Sequence, residues 1–222
     1  MRSYEPLFTF ISMEMSFAQS AAMAAQICSQ ICSVFSSPPA SSPFSVTPPP
    51  LHVLVSEIAS AAAASRKIFV HGVGREGLML KALCMRLFHL GLSAYVVGDV
   101  TTPPISAGDL LLASAGPGCF STVDAICRVS KSAGARVVLL TAQPGSGSEA
   151  SLLVDAVAYL PAQTMADDEE QEELGAATAA RLPMGSLYEG SMFVLFEMLV
   201  LKLAEKLGQT PAQLRSRHTN LE

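Results

Sequence analysis

Residues 68–98 read IFVHGVGREGLMLKALCMRLFHLGLSAYVVG. Ile68-Phe69-Val70 is a short apolar run of β-forming residues, and Gly72-Val73-Gly74-Arg75-Glu76-Gly77 is a glycine turn. From Leu78 to Leu90 neither Pro nor Gly interrupts an apolar stretch long enough for a helix, and Gly91 stops it. Ala94-Tyr95-Val96-Val97 is a second β run. This order predicts one βαβ unit with parallel strands and a right-handed crossover. Glycines let backbone N–H groups approach a ligand at the helix start, where the helix dipole favours an anion. Arg75 adds a planar, bidentate donor suited to phosphate or sugar hydroxyls. Two other readings stand beside this one. The turn could serve only close helix–strand packing. It could also hold a dinucleotide, since such a site wants an acidic residue roughly twenty residues on, and Asp99 meets that spacing.

Upstream, Phe17, Ala21, Ala24, Ile27, Cys28, Ile31 and Val34 recur at helical spacing and predict a helix over 13–36. SPPASSPFSVTPPP, residues 37–50, is a Pro/Ser connector that holds neither a helix nor a central strand. A second helix is expected over 51–64. Downstream, strands are predicted at Leu110–Ala113, Arg136–Thr141 and Val154–Leu160, with a helix over Val123–Ser132. Ser148 is placed to cap a short helix. Asp167-Asp168-Glu169-Glu170 and Glu172-Glu173 form an acidic run, read as a solvated segment. Residues 186–207 form a long apolar helix, and Thr210-Pro211 opens a last short one. The alternation predicts an α/β fold, a parallel sheet with helices on both faces, over residues 51–222. Residues 1–50 are an extension with one helix and a linker.

The chain has 222 residues, 50% hydrophobic and only 15% charged. So apolar a composition predicts surface buried by self-association. A net charge of −5 without a Lys/Arg cluster argues against nucleic acid. No apolar run approaches the roughly eighteen residues of a membrane span. Glu5 and Glu14 make the N-terminus a poor targeting signal. Five cysteines in no disulfide pattern point to a reducing, cytoplasmic setting. Cys28 and Cys32 are read as packing residues rather than metal ligands.

The second glycine loop carries the stronger signal. Ser114, Gly116, Gly118, Ser121 and Thr122 lie between a strand and a helix, where hydroxyls and free N–H groups wrap phosphate oxygens without a metal. A Ser/Thr cap on a glycine turn is the plainer alternative. Two such loops on parallel strands open on one sheet edge, where α/β sites lie. The pairing favours a phosphorylated small molecule.

On these residues the chain resembles the sugar isomerase (SIS) domain family, most closely the 6-phospho-3-hexuloisomerases. The matching pieces are IFVHGVGREG, ALCMRLFHLG, YVVGDVTTP, the Ser/Gly loop, LPMGSLYEGSMF and RHTNLE, in family order over residues 50–222. MRLFHLG and the terminal RHTNLE discriminate best. The Ser-rich second loop and RHTNLE have no place in a dinucleotide-binding dehydrogenase. The resemblance implies a three-layer αβα sandwich with a flavodoxin-like parallel sheet and a homotetramer without metal or cofactor. The implied activity interconverts 3-hexulose 6-phosphate and fructose 6-phosphate. Gly72, Gly74, Arg75, Glu76, Ser114, Gly116, Gly118, Ser121 and Thr122 are the implied substrate-binding residues. The departures from the family pattern matter. Pro117 stands for a serine, Cys119 for a glutamate in the family's SGSGETTS, and Glu76 for the usual serine. A carboxylate near phosphate is repulsive unless Arg75 or Lys81 offsets it.

Moving a carbonyl by one carbon through an enediol needs a base. Glu189 matches the family's catalytic glutamate, with an exposed helix glutamate as the plainer reading, and His218 matches its C-terminal histidine, either as the partner that assists or as a hydrogen-bonded terminal residue. His218 would reach the site through the fold or from a neighbouring subunit. His89 is read as a packing or interface residue, and His71 receives no role. The rival class is a non-catalytic sugar-phosphate sensor, in which the altered loop reflects lost catalysis.

Overall fold

The computed structural model describes residues 16–36, 48–167, 182 and 184–221. Helices α1 (Phe17–Val34) and α2 (Pro50–Ala63) precede β1 (Ile68–His71), α3 (Gly74–His89) and β2 (Ala94–Val96). Then follow β3 (Leu110–Ser114), α4 (Ser121–Ser132), β4 (Arg136–Thr141), α5 (Glu149–Leu153) and β5 (Ala156–Tyr159). Helices α6 (Ser186–Lys206) and α7 (Pro211–Ser216) close the chain. All strand pairs are parallel, in the order β2-β1-β3-β4-β5. The strand order reverses between β1 and β3, and α/β ligand sites form outside the strand ends at such a point.

The central strands β3 (LLLAS) and β4 (RVVLLT) read as near-continuous apolar runs because both of their faces are covered. Ile68, Val70, Leu110, Leu112, Val138 and Leu140 face one layer, where α2, α3 and α6 supply Leu54, Ile58, Leu83, Leu87, Met192, Leu195 and Leu199. Phe69, Leu111, Val137 and Leu139 face the other, against Val123 and Cys127 of α4 and Ala150 of α5. The expected three-layer αβα sandwich with a flavodoxin-like sheet is the observed fold. Ser148 caps α5 as expected, its hydroxyl accepting from Ser151 N at 3.1 Å.

Several expectations are corrected. The turn at 72–77 is shorter than the sequence predicts, because α3 begins at Gly74 and carries Arg75, Glu76 and Gly77 in its first turn. Helix α4 likewise begins at Ser121, so Ser121 and Thr122 are helical and not loop. Cys28 and Cys32 do not pack within the chain. Both are exposed, and Val34 is the buried residue of α1. Only the C-terminal half of the α1 stripe turns inward, while Phe17 is 99% exposed. Residues 1–15, 37–47 and most of the acidic run lie outside the described residues.

The early start of α3 has a steric basis. A Cβ on Gly77 would lie 2.5 Å from the Gly72 carbonyl oxygen, which is backbone and has little room to yield. The last turn of the strand and the first turn of the helix touch only because both positions lack side chains. At its far end α3 is strapped by the C-terminus. The Arg217 guanidinium donates to His89 O and to Gln209 Oε1, each at 2.9 Å, and lies over Gly91, whose φ is +84°.

Gly77→Ala is expected to destabilise the fold by about 1–3 kcal/mol, the cost of an overpacked contact. Urea unfolding measures it, and an unchanged midpoint would show that the strand end yields freely.

Candidate active site

Three helix and strand ends meet at the carboxyl edge of the sheet. The first turn of α3 brings Arg75 and Glu76, the end of β3 brings Ser114 to Gly116, and the first turn of α6 brings Ser186, Tyr188 and Glu189. Gly185, in the left-handed region at φ +75°, turns the chain into α6. A Cβ there would lie 3.0 Å from Met165 N.

Glu76 points into this junction and is only 5% exposed. Its carboxylate accepts the Ser114 hydroxyl at 2.5 Å and the Gly116 N–H at 3.1 Å to each oxygen. Tyr188, 1% exposed, places its hydroxyl 3.3 Å from Ser114 Oγ. Gly116 is held between the two. A Cβ on it would meet the Tyr188 ring at 2.9 Å and Glu76 Oε1 at 3.0 Å. Burial pushes the Glu76 carboxyl above the usual carboxylate range, Ser114 and Gly116 pull it back in part, and the charge of Glu189 adds to the rise.

Arg75 turns the other way. Its guanidinium donates to Ser186 Oγ at 2.9 Å and to the Met184 carbonyl, and its Nη2 lies 3.2 Å from Glu189 Oε2. This last contact is an ion pair without hydrogen-bond alignment, and Glu189 Oε2 is buried without a hydrogen bond. Burial raises the Glu189 carboxyl, and Arg75 offsets part of that rise. A carboxylate held above its usual range by burial, with one oxygen lacking an aligned donor, suits proton abstraction.

The offset expected for Glu76 is therefore corrected. Arg75 pairs with Glu189, and Lys81 lies 3.9 Å from Asp99. The β3 loop itself takes up the Glu76 charge. Ser121 and Thr122 are exposed at the start of α4, which has no side-chain cap. Gly118, at φ +94°, packs its α-carbon against Gln143 and Ser146, and Ser146 Oγ donates to its carbonyl at 3.0 Å. On the other flank of the α3 start, a cavity of about 290 Å3 is lined by His71, Gly72, Gly77, Lys81, Gly98 and Asp99. His71 Nε2 is buried there without a hydrogen bond, and burial lowers the pKa of its ring.

The expected pairing of Glu189 with His218 is not made within the chain. His218 stacks on His89 at a centroid distance of 5.3 Å, at the C-terminal end of α3. Arg75 and His89 lie at opposite ends of that helix, about 21 Å apart at 1.5 Å rise per residue. Sequence reasoning missed Tyr188 and Ser186 as site residues. Their position beside Glu189 on the first turn of α6 was the available signal. Among the described residues no group of three or more His, Cys, Asp or Glu side chains gathers as metal ligands would.

No family model matches the chain. A 3-hexulose-6-phosphate isomerase of Mycobacterium gastri is 40% identical over 156 residues, 70% of this chain and 74% of that protein. Another of that name, from Bacillus subtilis, is 33% identical over 168 residues, 75% of this chain and 85% of that protein. Among solved structures, a hypothetical protein of Methanococcus jannaschii superposes with a TM-score of 0.70. It is 22% identical, and the match covers 90% of this chain and 99% of that one. That likeness shows the shared fold.

A carboxyl raised by the fold keeps its proton longer when folded. Its contribution to stability is whole below the usual carboxylate range and is lost as pH climbs through the raised value. The urea-unfolding free energy of the wild type is therefore expected to fall more steeply than that of Glu76→Gln as pH rises above the usual carboxylate range. Parallel curves would show that burial of Glu76 carries no such linkage.

Proposed function

The chain belongs to the 3-hexulose-6-phosphate isomerase family of SIS-type sugar-phosphate proteins, and from that membership we propose that it interconverts 3-hexulose 6-phosphate and fructose 6-phosphate. The observation that carries this reading is Glu189, sheltered at the strand-end junction with one carboxylate oxygen free of hydrogen bonds and Arg75 alongside. In the forward direction Glu189 takes the proton from C2, next to the C3 carbonyl, and a 2,3-enediol forms. The proton returns to C3 while the O2 hydroxyl proton moves to O3, which leaves the carbonyl at C2. The positive charge of Arg75 offsets the negative charge that develops on the enediol oxygens. The phosphate is assigned to the exposed Ser121 and Thr122 hydroxyls and the N–H groups of the first turn of α4.

We further propose a homotetramer. Leu78, Met85 and Phe88 of α3 and Phe193 and Leu201 of α6 are each more than half exposed. They are too apolar to face water without a partner. A neighbouring copy would also be the route by which His218 reaches a site. Five free cysteines fit a reducing cytoplasm, and no helix among the described residues is long and apolar enough to cross a membrane.

Glu189→Gln keeps the shape and removes the base. It is expected to lower turnover by about two to four orders of magnitude while shifting fructose 6-phosphate affinity by no more than about threefold. Turnover that survives the substitution places the base elsewhere. Wild-type protein that binds hexose phosphates yet exchanges no substrate hydrogen with solvent deuterium would be a sensor instead. Light scattering at micromolar concentration is expected to give the mass of four chains, and a monomeric mass would remove the assembly.

A further inference from the structure

The loop after β3 offers an anion two inward-facing donors, the Ser114 hydroxyl and the Gly116 N–H, and both already have an anionic partner. The Glu76 carboxylate reaches them from the first turn of α3, at 2.5 Å and 3.1 Å, with both oxygens on Gly116. The arrangement is enclosed. Glu76 is 5% exposed, Ser114 is fully buried, and the Tyr188 ring closes the side that Glu76 leaves. A phosphate at these donors would have to displace the carboxylate or lie against it, and two anions at that separation repel strongly away from bulk water. Pro117 next door has no N–H to offer in exchange.

We propose that Glu76 is a built-in occupant of the anion seat at the end of β3, and that it sets ligand specificity by keeping the substrate's phosphate out of that seat. Glu76 acts as a positioning and specificity-determining residue and does not touch the reacting carbons. It orders the Ser114–Gly116 turn in the absence of ligand, as a bound anion would. It also confines phosphate recognition to the exposed start of α4, at Ser121 and Thr122. Ligands whose anionic group needs the deep seat are thereby disfavoured. The inference rests on the phosphosugar reading only for the identity of the ligand. The occupied seat is a property of this chain.

The test measures inorganic phosphate and fructose 6-phosphate binding by calorimetry at fixed ionic strength, with thermal unfolding recorded with and without phosphate. Glu76→Ser empties the seat and leaves both donors free. It is expected to bind inorganic phosphate about ten- to a hundredfold more tightly than wild type, the scale of charged hydrogen bonds regained. Its melting temperature should fall without phosphate and recover with millimolar phosphate. Glu76→Gln keeps the shape and removes the charge. It is expected to gain about three- to tenfold in phosphate affinity while melting near wild type. A residue that merely supports the fold would produce neither gain. Phosphate binding unchanged or weaker in Glu76→Gln overturns the proposal even if Glu76→Ser does not fold. If wild type binds no fructose 6-phosphate but Glu76→Ser and Glu76→Gln gain phosphate affinity, the proposal stands and the isomerase reading falls. If wild type turns over hexulose phosphate and neither variant gains, the isomerase reading stands and the proposal falls.

Discussion

The contact between Gly72 and Gly77 governs the rest of the site. Because neither residue carries a side chain, α3 starts within touching distance of the end of β1. That closeness decides where the first turn points. Residue 76 is delivered sideways to the end of β3, and residue 75 is delivered to the start of α6. A helix that began one turn later, as the residue pattern alone suggests, would present neither side chain to those partners. Backbone proximity, rather than any single side chain, thus converts a common βαβ unit into a junction of three elements.

The junction contains a buried carboxylate, a half-buried one and a guanidinium that reaches them from the surface. Each charge is met differently. Glu76 is met by hydrogen-bond donors and no cation, and Glu189 by a cation and no aligned donor. Donors in fixed positions hold an anion still, whereas a nearby cation lowers its energy without fixing its geometry. The first carboxylate is therefore suited to being part of the structure, and the second to exchanging a proton. Two residues of the same type acquire separate roles from their surroundings.

The fold was largely legible in the sequence. The β-type runs at Ile68–Val70 and Arg136–Thr141, where burial on both faces leaves an unbroken apolar stretch, and the glycines that follow α3, α4 and α6 carried it. The site was legible only in part. Arg75, Ser114 and Glu189 were visible as a set, but their pairing was not, since which side chain meets which depends on the angle at which α3 leaves the sheet. The helix starts at Gly74 and Ser121 were hidden because glycines and hydroxyls read as loop. The exposure of Cys28 was hidden for a related reason. A helical stripe tells which face is apolar, but not whether this chain covers it. The distance between His218 and Glu189 is likewise a matter of tertiary placement.

The arrangement of α6 also bears on how the protein comes into being. Arg75 and its partner Ser186 are separated by 111 residues of chain, and α6 supplies much of one wall of the core as well. During synthesis from the N-terminus, the βαβ units can begin to form from local contacts, but their α3 face stays only partly covered until about the last sixth of the chain emerges. The contacts of Arg75 with Ser186 and Glu189 are therefore assembled by the same late docking step that completes the core. A ribosome stalled short of α6 would hold a chain with an open apolar face and no competent site, so competence marks completed folding.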